Sequence, residues 1–283
     1  MIMKKIIALA LALVMVLALV ACGNTNTADN KYNTITPGVL TVATSPDYAP
    51  YEFYALDKDG KATLAGFDMA LAQYIADELG LKLEVVPMDF NGILGEMAAK
   101  TADLAIAGLS PDPERLEAMD FSDTYYEGKQ AFVTTKENAA KFTDLASTNK
   151  AELTIAAQTG TIQEDLAKEF SPLAKYVSLP KATDIIGELI AGTIDGAYVE
   201  WDVAAAYQAN YPQLTTLCEV PYEAEGNVIG VLKGNTALLE AVNTALNKCV
   251  DSGEFSKFVA EALELAAGDT ANYVEGEGIV PNA

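Results

Sequence analysis

ILGEMAAKTADLAI, residues 93–106, and IIGELIAGTIDGAY, residues 185–198, are two copies of one pattern at a constant offset of 92 positions. Seven of the fourteen paired positions are identical. Each copy has the apolar spacing of an amphipathic helix, followed by a tight T-x-D connection and a short apolar strand. The repeat allows two interpretations: two similar units within one sheet, or two lobes of similar build, each with its own sheet.

The sequence around the repeat alternates between the periods of strands and helices. Residues 39–43 form an apolar strand, and a D-K-D-G turn after residue 56 is typical of a hairpin. Asp68 stands where a helix cap would stand, and Gly80 ends that helix before the next alternating strand. This order of elements predicts an α/β fold with a largely parallel sheet.

The two repeat strands also predict where a ligand would bind. Ligands of open α/β sheets bind beyond the carboxyl ends of the strands. Ala107 and Gly108 follow the first repeat strand, and Val199 and Glu200 follow the second. If two lobes face each other, these residues lie across one cleft.

Composition excludes several kinds of function. The chain has 283 residues, 18 Lys and Arg against 40 Asp and Glu, no His, and a net charge of −22. That balance argues against binding nucleic acid, which needs a basic surface. Without His, a Ser-His-Asp triad and a His-ligated zinc site are excluded. The length suits one large domain or two of about 100–150 residues.

Arg115 is the single arginine of the chain. Its guanidinium offers carboxylates a planar, bidentate fork that Lys lacks, although a structural salt bridge is an equal alternative on composition alone. Asp112 and Pro113 predict that a helix starts just before Arg115, where a cation opposes the helix dipole. Together with Ser110 and Gly108, this placement favours a carboxylate receptor.

The second half of the chain offers a matching set of polar residues. Gln158 ends an apolar strand, and Thr161 with Glu164 forms a T-x-x-E capping box at a predicted helix start, where free N–H groups attract anions. Glu200 supplies a negative charge. Three aromatic residues follow strands and could form a stacking platform, although core packing is an alternative for each: Tyr48, Tyr51 and Phe90.

The N-terminus predicts export and anchoring. Residues 1–21 combine two lysines with an apolar run too short to span a bilayer, which is typical of a signal peptide. The end of the run resembles a lipobox, so we expect lipidation of Cys22 and an extracytoplasmic, membrane-anchored protein; an ordinary signal peptide is the alternative. The polar residues 22–36 predict a flexible tether. Cys218 and Cys249 could form a disulfide or remain free.

Four motifs in succession carry a family resemblance: TSPDYAPYEF (44–53), GFDMALA (66–72), AGLSPDPER (107–115) and DFSDTYY (120–126). They resemble the family 3 solute-binding proteins of polar amino acid ABC importers. The resemblance implies a type II periplasmic-binding fold, with two lobes joined by two hinge strands around a ligand cleft. Lobe 1 would comprise residues 37–128 and 222–283, and lobe 2 residues 129–221.

The resemblance also implies roles for individual residues. Arg115 would clamp the α-carboxylate of an L-amino acid, assisted by Ser110 and the backbones of Gly108 and Thr161. Glu200 stands where the family usually has an Asp for the α-ammonium group. Tyr48 and Phe90 would stack on the ligand. The other residues implied near the ligand are Ala107 and, for its side chain, Ser45, Tyr51, Gln158 and Gln163.

Ser45 departs from the Asp that basic-amino-acid binders use, which argues against a strongly basic ligand. The expected protein is a monomer without cofactor that captures an amino acid and delivers it to an ABC transporter permease. Two alternatives remain open. One is an enzyme on the same fold, such as a cyclohexadienyl dehydratase with Glu200 as general acid. The other is a ligand sensor for a membrane receptor.

Overall fold

The computed structural model describes residues 30–222, 226–274 and 278–281, with side chains as far as Ala271. The predicted signal peptide and Cys22 lie outside these residues. Within the described part of the chain, no helix is both long enough and apolar enough to span a bilayer. Cys218 and Cys249 are both free thiols, and Cys249 is buried.

The described residues form fifteen strands and seven α-helices. The strands are Val39–Thr44 (β1), Asp47–Tyr48 (β2), Glu52–Leu56 (β3), Ala62–Ala65 (β4), Lys82–Pro87 (β5), Leu104–Ala105 (β6), Met119–Phe121 (β7), Gln130–Thr135 (β8), Thr154–Gln158 (β9), Lys175–Leu179 (β10), Gly196–Glu200 (β11), Leu214–Val220 (β12), Gly230–Leu232 (β13), Thr270–Val274 (β14) and Gly278–Pro281 (β15). The helices are Phe67–Leu79 (α1), Phe90–Ala99 (α2), Ile162–Phe170 (α3), Ala182–Ala191 (α4), Trp201–Asn210 (α5), Thr236–Asp251 (α6) and Glu254–Ala266 (α7).

Two five-stranded sheets have equivalent strand orders, β5-β1-β6-β13-β7 and β10-β9-β11-β8-β12. The first three strands of each sheet are parallel and the last two pair antiparallel. The expectation of largely parallel sheets is therefore only half correct. The repeat strands β6 and β11 are each third in their sheet, so the interpretation with two lobes is confirmed. A further sheet, β15-β14-β3-β2 with β4 beside β3, completes the fold.

The identical letters of the repeat make identical contacts in both lobes. Thr101 and Thr193 follow helices α2 and α4, and their hydroxyls donate to the backbone carbonyls of Glu96 and Glu188, both at 3.0 Å. Each hydroxyl also reaches the carboxylate of the same Glu. The repeated Glu and Thr therefore close the last turn of the helix, where carbonyl groups lack partners within the helix.

The repeated Asp holds the neighbouring strand. Asp103 accepts the backbone N–H of Thr41 in β1 at 2.9 Å, and Asp195 accepts that of Thr154 in β9 at 2.8 Å. In both lobes a carboxylate after the repeat helix thus holds the strand beside it, at the third residue of β1 and at the first residue of β9. This contact sets the register of the parallel part of each sheet.

Two antiparallel segments connect the sheets, and the structure describes them at residues 122–129, 221–222 and 226–229. Tyr126 and Asn227 form an isolated bridge, with the N–H of Asn227 donating to the Tyr126 carbonyl at 2.6 Å. The N–H of Tyr125 donates to the Asn227 carbonyl at 2.9 Å. These segments are the two hinge strands that the family resemblance implies.

The structure shortens the predicted tether. Residues 30–36 pack on the first lobe, where the side chain of Thr34 is buried. The N–H of Ile35 donates to Asp103 at 2.8 Å, and the amide of Asn235 donates to the Tyr32 carbonyl at 2.9 Å. The sequence-based boundary is wrong over these residues, because polar backbone contacts hold a segment that buries little apolar surface.

Helix α1 begins differently from the sequence expectation. Gly66, not Asp68, is its N-cap, and no side chain caps its first turn. Gly66 has φ of 115°, and a Cβ at this position would lie 2.0 Å from the carbonyl oxygen of Tyr51. Only glycine allows the close approach of these two backbone segments. Gly80 ends the helix in the left-handed conformation, as predicted.

We predict that Gly66→Ala destabilises the protein by roughly 2–5 kcal/mol, because it adds backbone strain and a steric overlap. Denaturant unfolding followed by circular dichroism measures this. Gly187→Ala is the matched control, since Gly187 is exposed within α4 and has nothing within 4 Å of its Cβ position. The control should gain about 0.5–1 kcal/mol of helix stability. Equal effects of both substitutions would contradict this account of Gly66.

Candidate functional site

A cleft of about 390 Å³ lies between the two lobes, beyond the ends of the repeat strands. Eleven of the sequence-predicted site residues line it: Ser45, Tyr48, Phe90, Ala107, Gly108, Ser110, Arg115, Gln158, Thr161, Gln163 and Glu200. Five further residues complete the lining: Asp47, Glu52, Gln130, Ile162 and Asn227. The polar residues of both repeat halves are thus brought together in one site.

Arg115 is buried and crosses the cleft. Its guanidinium donates to the backbone carbonyl of Ser110 in its own lobe at 2.8 Å and to that of Gly160 in the other lobe at 3.2 Å. It also lies over the ring of Phe90, 5.4 Å from the centroid. Burial lowers the pKa of Arg115 from its usual value. Among the described residues Arg115 makes no salt bridge, so the structural alternative is not the one that the fold uses.

The helix that carries Arg115 is shorter than expected. It is a single 3₁₀ segment, Pro113–Glu117, capped by the Asp112 carboxylate, which accepts the N–H of Glu114. Five residues leave Arg115 as close to the end of the segment as to its start. The argument from an unfavourable helix dipole is therefore wrong, because the dipole of so short a segment is small.

The start of α3 faces Arg115 from the other lobe. Thr161 is the N-cap residue, but its hydroxyl donates to the Gln158 carbonyl at 2.7 Å and caps no N–H group. Glu164 reaches back to the N–H of Gly160 at 2.9 Å instead of that of Thr161. The predicted capping box is not formed. The first turn of α3 consequently presents backbone N–H groups without a side-chain cap beside a guanidinium, which suits an anion.

Gly108 does not have the predicted donor role. Its N–H donates to the buried carboxylate of Asp68 at 2.8 Å, and its carbonyl accepts the amide of Asn227 at 2.8 Å. Its φ is +54°, and a Cβ there would lie 3.3 Å from the rings of Tyr48 and Tyr51. Gly108 shapes the cleft floor, and its backbone groups are already bonded.

Asp68 is the residue that organises this floor. Besides the Gly108 N–H, its carboxylate accepts the hydroxyl of Tyr125 at 2.9 Å. Burial raises the pKa of Asp68 to about 6, although these hydrogen bonds lower it. The family motif thus places a fully buried carboxylate directly behind the cleft wall.

Glu200 occupies the second lobe's side of the cleft. It is the N-cap of α5, and its carboxylate accepts the N–H groups of Asp202 at 2.7 Å and Val203 at 3.1 Å. The N–H of Lys129, at the end of a hinge strand, donates to it at 3.2 Å. Burial and the nearby charge of Asp202 raise the pKa of Glu200 to about 8.

Glu52 is the unexpected feature of the cleft. It is fully buried, and neither of its carboxyl oxygens receives a hydrogen bond from a donor among the described residues. Burial and the neighbouring carboxylates of Asp68 and Asp47 raise its pKa well above the usual range, and the protonated form can donate to Asp68. An ionised carboxylate in this position lacks the partner that buried charges need. A cation or a proton has to satisfy it.

The aromatic residues divide between cleft and core. Tyr48 and Phe90 line the cleft, and the amide of Gln163 donates to the Tyr48 hydroxyl at 3.3 Å. Tyr51 does not line it. The ring of Tyr51 packs against Phe67 with centroids 4.4 Å apart, in the core of the first lobe. Its proposed place in a side-chain pocket is wrong, because the core takes its whole ring.

Ser45 and Gln158 line the cleft, but their side chains are hydrogen-bonded to another cleft residue, Asp47. The Ser45 hydroxyl donates to the Asp47 carboxylate at 2.9 Å, and the Gln158 amide donates to it at 3.3 Å. Gln163 donates to the side chain of Gln130 at 2.8 Å. These three residues therefore position neighbouring groups in the structure.

Of the residues missed by sequence reasoning, two had a usable signal. Asp47 and Glu52 both lie within the first family motif. Glu52 also stands between two large aromatic residues, Tyr51 and Phe53, which is an unusual setting for a charge that is exposed to solvent. Asn227, Gln130 and Ile162 had no signal. They reach the cleft through the hinge, the start of β8 and the start of α3, which only the fold determines.

Comparison with known proteins identifies the class. A family model of bacterial extracellular solute-binding proteins, family 3, matches residues 40–263. The arginine-binding extracellular protein ArtP of Bacillus subtilis is 32% identical over 260 residues, covering 90% of this chain and 96% of ArtP. A cyclohexadienyl dehydratase of Pseudomonas aeruginosa is 29% identical over 180 residues, covering 63% of this chain and 66% of the enzyme.

Among solved structures, the substrate-binding protein AbpA of a Streptococcus pneumoniae amino acid ABC transporter, bound to L-arginine, has a TM-score of 0.77. The two sequences are 34% identical over an alignment that covers 81% of this chain and 96% of AbpA. The chain belongs to family 3 of the bacterial extracellular solute-binding proteins and has the type II periplasmic-binding-protein fold. It is an extracytoplasmic substrate-binding protein, in a family whose members serve amino acid ABC transporters.

Proposed function

We propose that the chain captures a cationic L-amino acid of the arginine type between its lobes and delivers it, as a monomer, to an ABC importer. The observation that carries this proposal is Glu52, a fully buried carboxyl group in the cleft that receives no hydrogen bond from a donor among the described residues. The guanidinium or ammonium group of a ligand would supply the missing donors. ArtP, an arginine binder, and AbpA, whose structure holds L-arginine, agree with this choice.

The proposal reverses the expectation drawn from Ser45. That residue removes one carboxylate from the family pattern, but Glu52 and Glu200 bring two others into the same cleft. Both carboxyl groups have raised pKa values, so a ligand with two cationic groups would stabilise their ionised forms, while its carboxylate would pair with Arg115. We assign the α-ammonium to Glu200 and the side-chain cation to Glu52, with the α-carboxylate held by Arg115.

The anion end of the proposed site combines both lobes. Arg115 and Ser110 approach from lobe 1, and the uncapped start of α3 at Thr161 approaches from lobe 2. Tyr48 and Phe90 would enclose the aliphatic part of the ligand. We assign lobe 1 to residues 37–128 and 222–283, extended at its start by residues 30–36, and lobe 2 to residues 129–221.

Arg115→Ala is expected to weaken binding of L-arginine by about 2–5 kcal/mol, because it leaves the ligand's carboxylate desolvated without its partner. Isothermal titration calorimetry measures the loss. Lys233→Ala is a suitable control, since Lys233 is an exposed residue of the same lobe that pairs with Asp120. Affinity within a few-fold of the unmodified protein in Arg115→Ala would contradict the assignment.

Glu52→Gln tests the choice of a cationic ligand. We expect this variant to lose at least about tenfold in affinity for L-arginine while its affinity for L-glutamine is unchanged or improved. The reason is that the amide keeps the size of the side chain and removes only its charge. Calorimetric titration with both ligands gives the selectivity ratio. An unchanged ratio would overturn the role of Glu52 and, with it, the cationic specificity.

The same variant has a built-in control for folding. Because the pKa of Glu52 is raised in the folded protein, the protein loses stability as pH rises above the unfolded value of 4.5. Glu52→Gln removes this loss, so the variant without ligand should be more stable than the unmodified protein at about pH 8. If Glu52→Gln binds L-arginine more weakly and yet is more stable, the loss of affinity comes from the lost contact with the ligand and not from a damaged fold.

We assign membrane attachment to Cys22, on the lipobox-like residues 19–22 and the extracytoplasmic location of the family. Two acyl chains on this residue would hold the protein at the membrane surface. Cys22→Ala is expected to move the protein from the membrane fraction to the soluble extracytoplasmic fraction, as measured by immunoblotting. A protein that stays soluble with Cys22 intact would favour an ordinary signal peptide.

A second candidate function is an enzyme, and one observation favours it. The raised pKa of Glu200, about 8, is what a general acid in the cleft needs, and a cyclohexadienyl dehydratase is among the relatives. Against this, the hydrogen bonds that described residues donate to Glu200 come from backbone N–H groups, which stabilise the carboxylate form. Turnover of prephenate or arogenate by the purified protein would decide for the enzyme.

A further inference from the structure

Asp47 connects the two lobes directly. It lies in β2 of lobe 1, and one of its carboxylate oxygens accepts the N–H of Ala182, the first residue of α4 in lobe 2, at 2.6 Å. The same oxygen accepts the Gln158 amide at the end of β9, at 3.3 Å. The other oxygen accepts the hydroxyl of Ser45 at 2.9 Å.

The backbone of Asp47 makes a further contact across the cleft. Its carbonyl accepts the hydroxyl of Tyr207, on α5, at 3.0 Å. One residue of lobe 1 thus bonds to three elements of lobe 2: the end of β9, the start of α4 and the middle of α5. The side chain of Asp47 is buried between them.

The contrast with Glu52 separates two kinds of carboxylate in one cleft. Both oxygens of Asp47 already accept protein donors, whereas neither oxygen of Glu52 does so among the described residues. Asp47 therefore has less free acceptor capacity for a ligand than Glu52 has. Its donors from lobe 2 are within reach only when the lobes are together, so its hydrogen bonds contribute to closure itself.

We propose that Asp47 is a positioning residue that links the lobes in the closed arrangement and thereby sets how long the ligand stays bound, without contacting the ligand. The inference rests on the proposed function for the identity of the ligand. A group that acts only after closure slows ligand release and leaves the association rate nearly unchanged.

The link depends on acceptor oxygens more than on charge. Burial raises the pKa of Asp47 to about 6, so the ionised form gains little from the closed environment. An Asn side chain can present its carbonyl oxygen to Ala182 and Gln158 and donate its amide to the Ser45 hydroxyl. Asp47→Asn should therefore preserve the link, and Asp47→Ala should remove it.

The test compares three variants by stopped-flow displacement of L-arginine, followed by the fluorescence of Trp201, the single tryptophan. Asp47→Ala is expected to raise the dissociation rate constant about tenfold with an association rate constant within about twofold of the unmodified protein. Asp47→Asn should stay within about threefold in both. Asp89→Asn is the control, because Asp89 is an exposed carboxylate that pairs with Lys181 of the other lobe at 3.7 Å, and it should leave both rate constants within about twofold.

Two results would overturn the proposal. One is an unchanged dissociation rate constant in Asp47→Ala. The other is an Asp47→Asn variant as impaired as Asp47→Ala with a reduced preference for L-arginine over L-glutamine, which would make Asp47 a ligand contact. Small-angle scattering without ligand keeps the test separate from the ligand's identity. Asp47→Ala should show a lower closed fraction than Asp47→Asn, even if the unmodified protein does not bind L-arginine.

Discussion

The structure depends on one interaction used repeatedly: a buried carboxylate that accepts backbone N–H groups. Asp103 fixes the strand beside the first copy of the repeat, and Asp68 fixes the turn at Gly108. Asp195, which is only partly buried, makes the matching contact in the second lobe. Glu200 caps α5 in the same way. Leaving a buried charge without its partner lowers the stability of the folded state by about 3–5 kcal/mol. Each of these side chains therefore determines the position of the backbone N–H groups that bind it.

Glu52 departs from this rule, and the departure lies in the cleft. Every other buried carboxylate discussed above has donors from the protein, so the fold could have supplied them here too. When a site holds a buried carboxylate without protein donors, a ligand that brings a cation binds with a much more favourable free energy than one that does not. In the proposed function, this loss of stability is what makes binding selective for a cation, in line with the usual conflict between stable folding and a binding site.

The sequence predicts the lobes because the repeat is a local feature. Its Glu, Thr and Asp act within one helix, one turn and the adjacent strand, so the pattern can be read without knowing the fold. The structure also places Arg115 and Glu200 in the cleft. Glu200 ends a repeat strand, whereas Arg115, ten residues after the end of β6, reaches the cleft from a 3₁₀ segment. Asp68 is not the predicted cap, because its donors lie 40 and 57 residues away. The capping box at Thr161 fails for a local reason, because its hydroxyl donates to the Gln158 carbonyl instead of accepting an N–H group.

The single arginine illustrates what only the assembled structure can explain. Arg115 donates to carbonyl groups of both lobes, at Ser110 and Gly160, and its delocalised charge survives burial next to Phe90. A lysine ammonium at the same place is a compact charge on a flexible chain. Even if it bonded to both carbonyls, its remaining N–H group would have no fixed orientation toward a ligand. The planar fork can join the lobes and still present N–H groups in a defined plane. The same side chain can therefore join the lobes and, in the proposed function, receive the carboxylate of the ligand, which a lysine could not do with equal geometry.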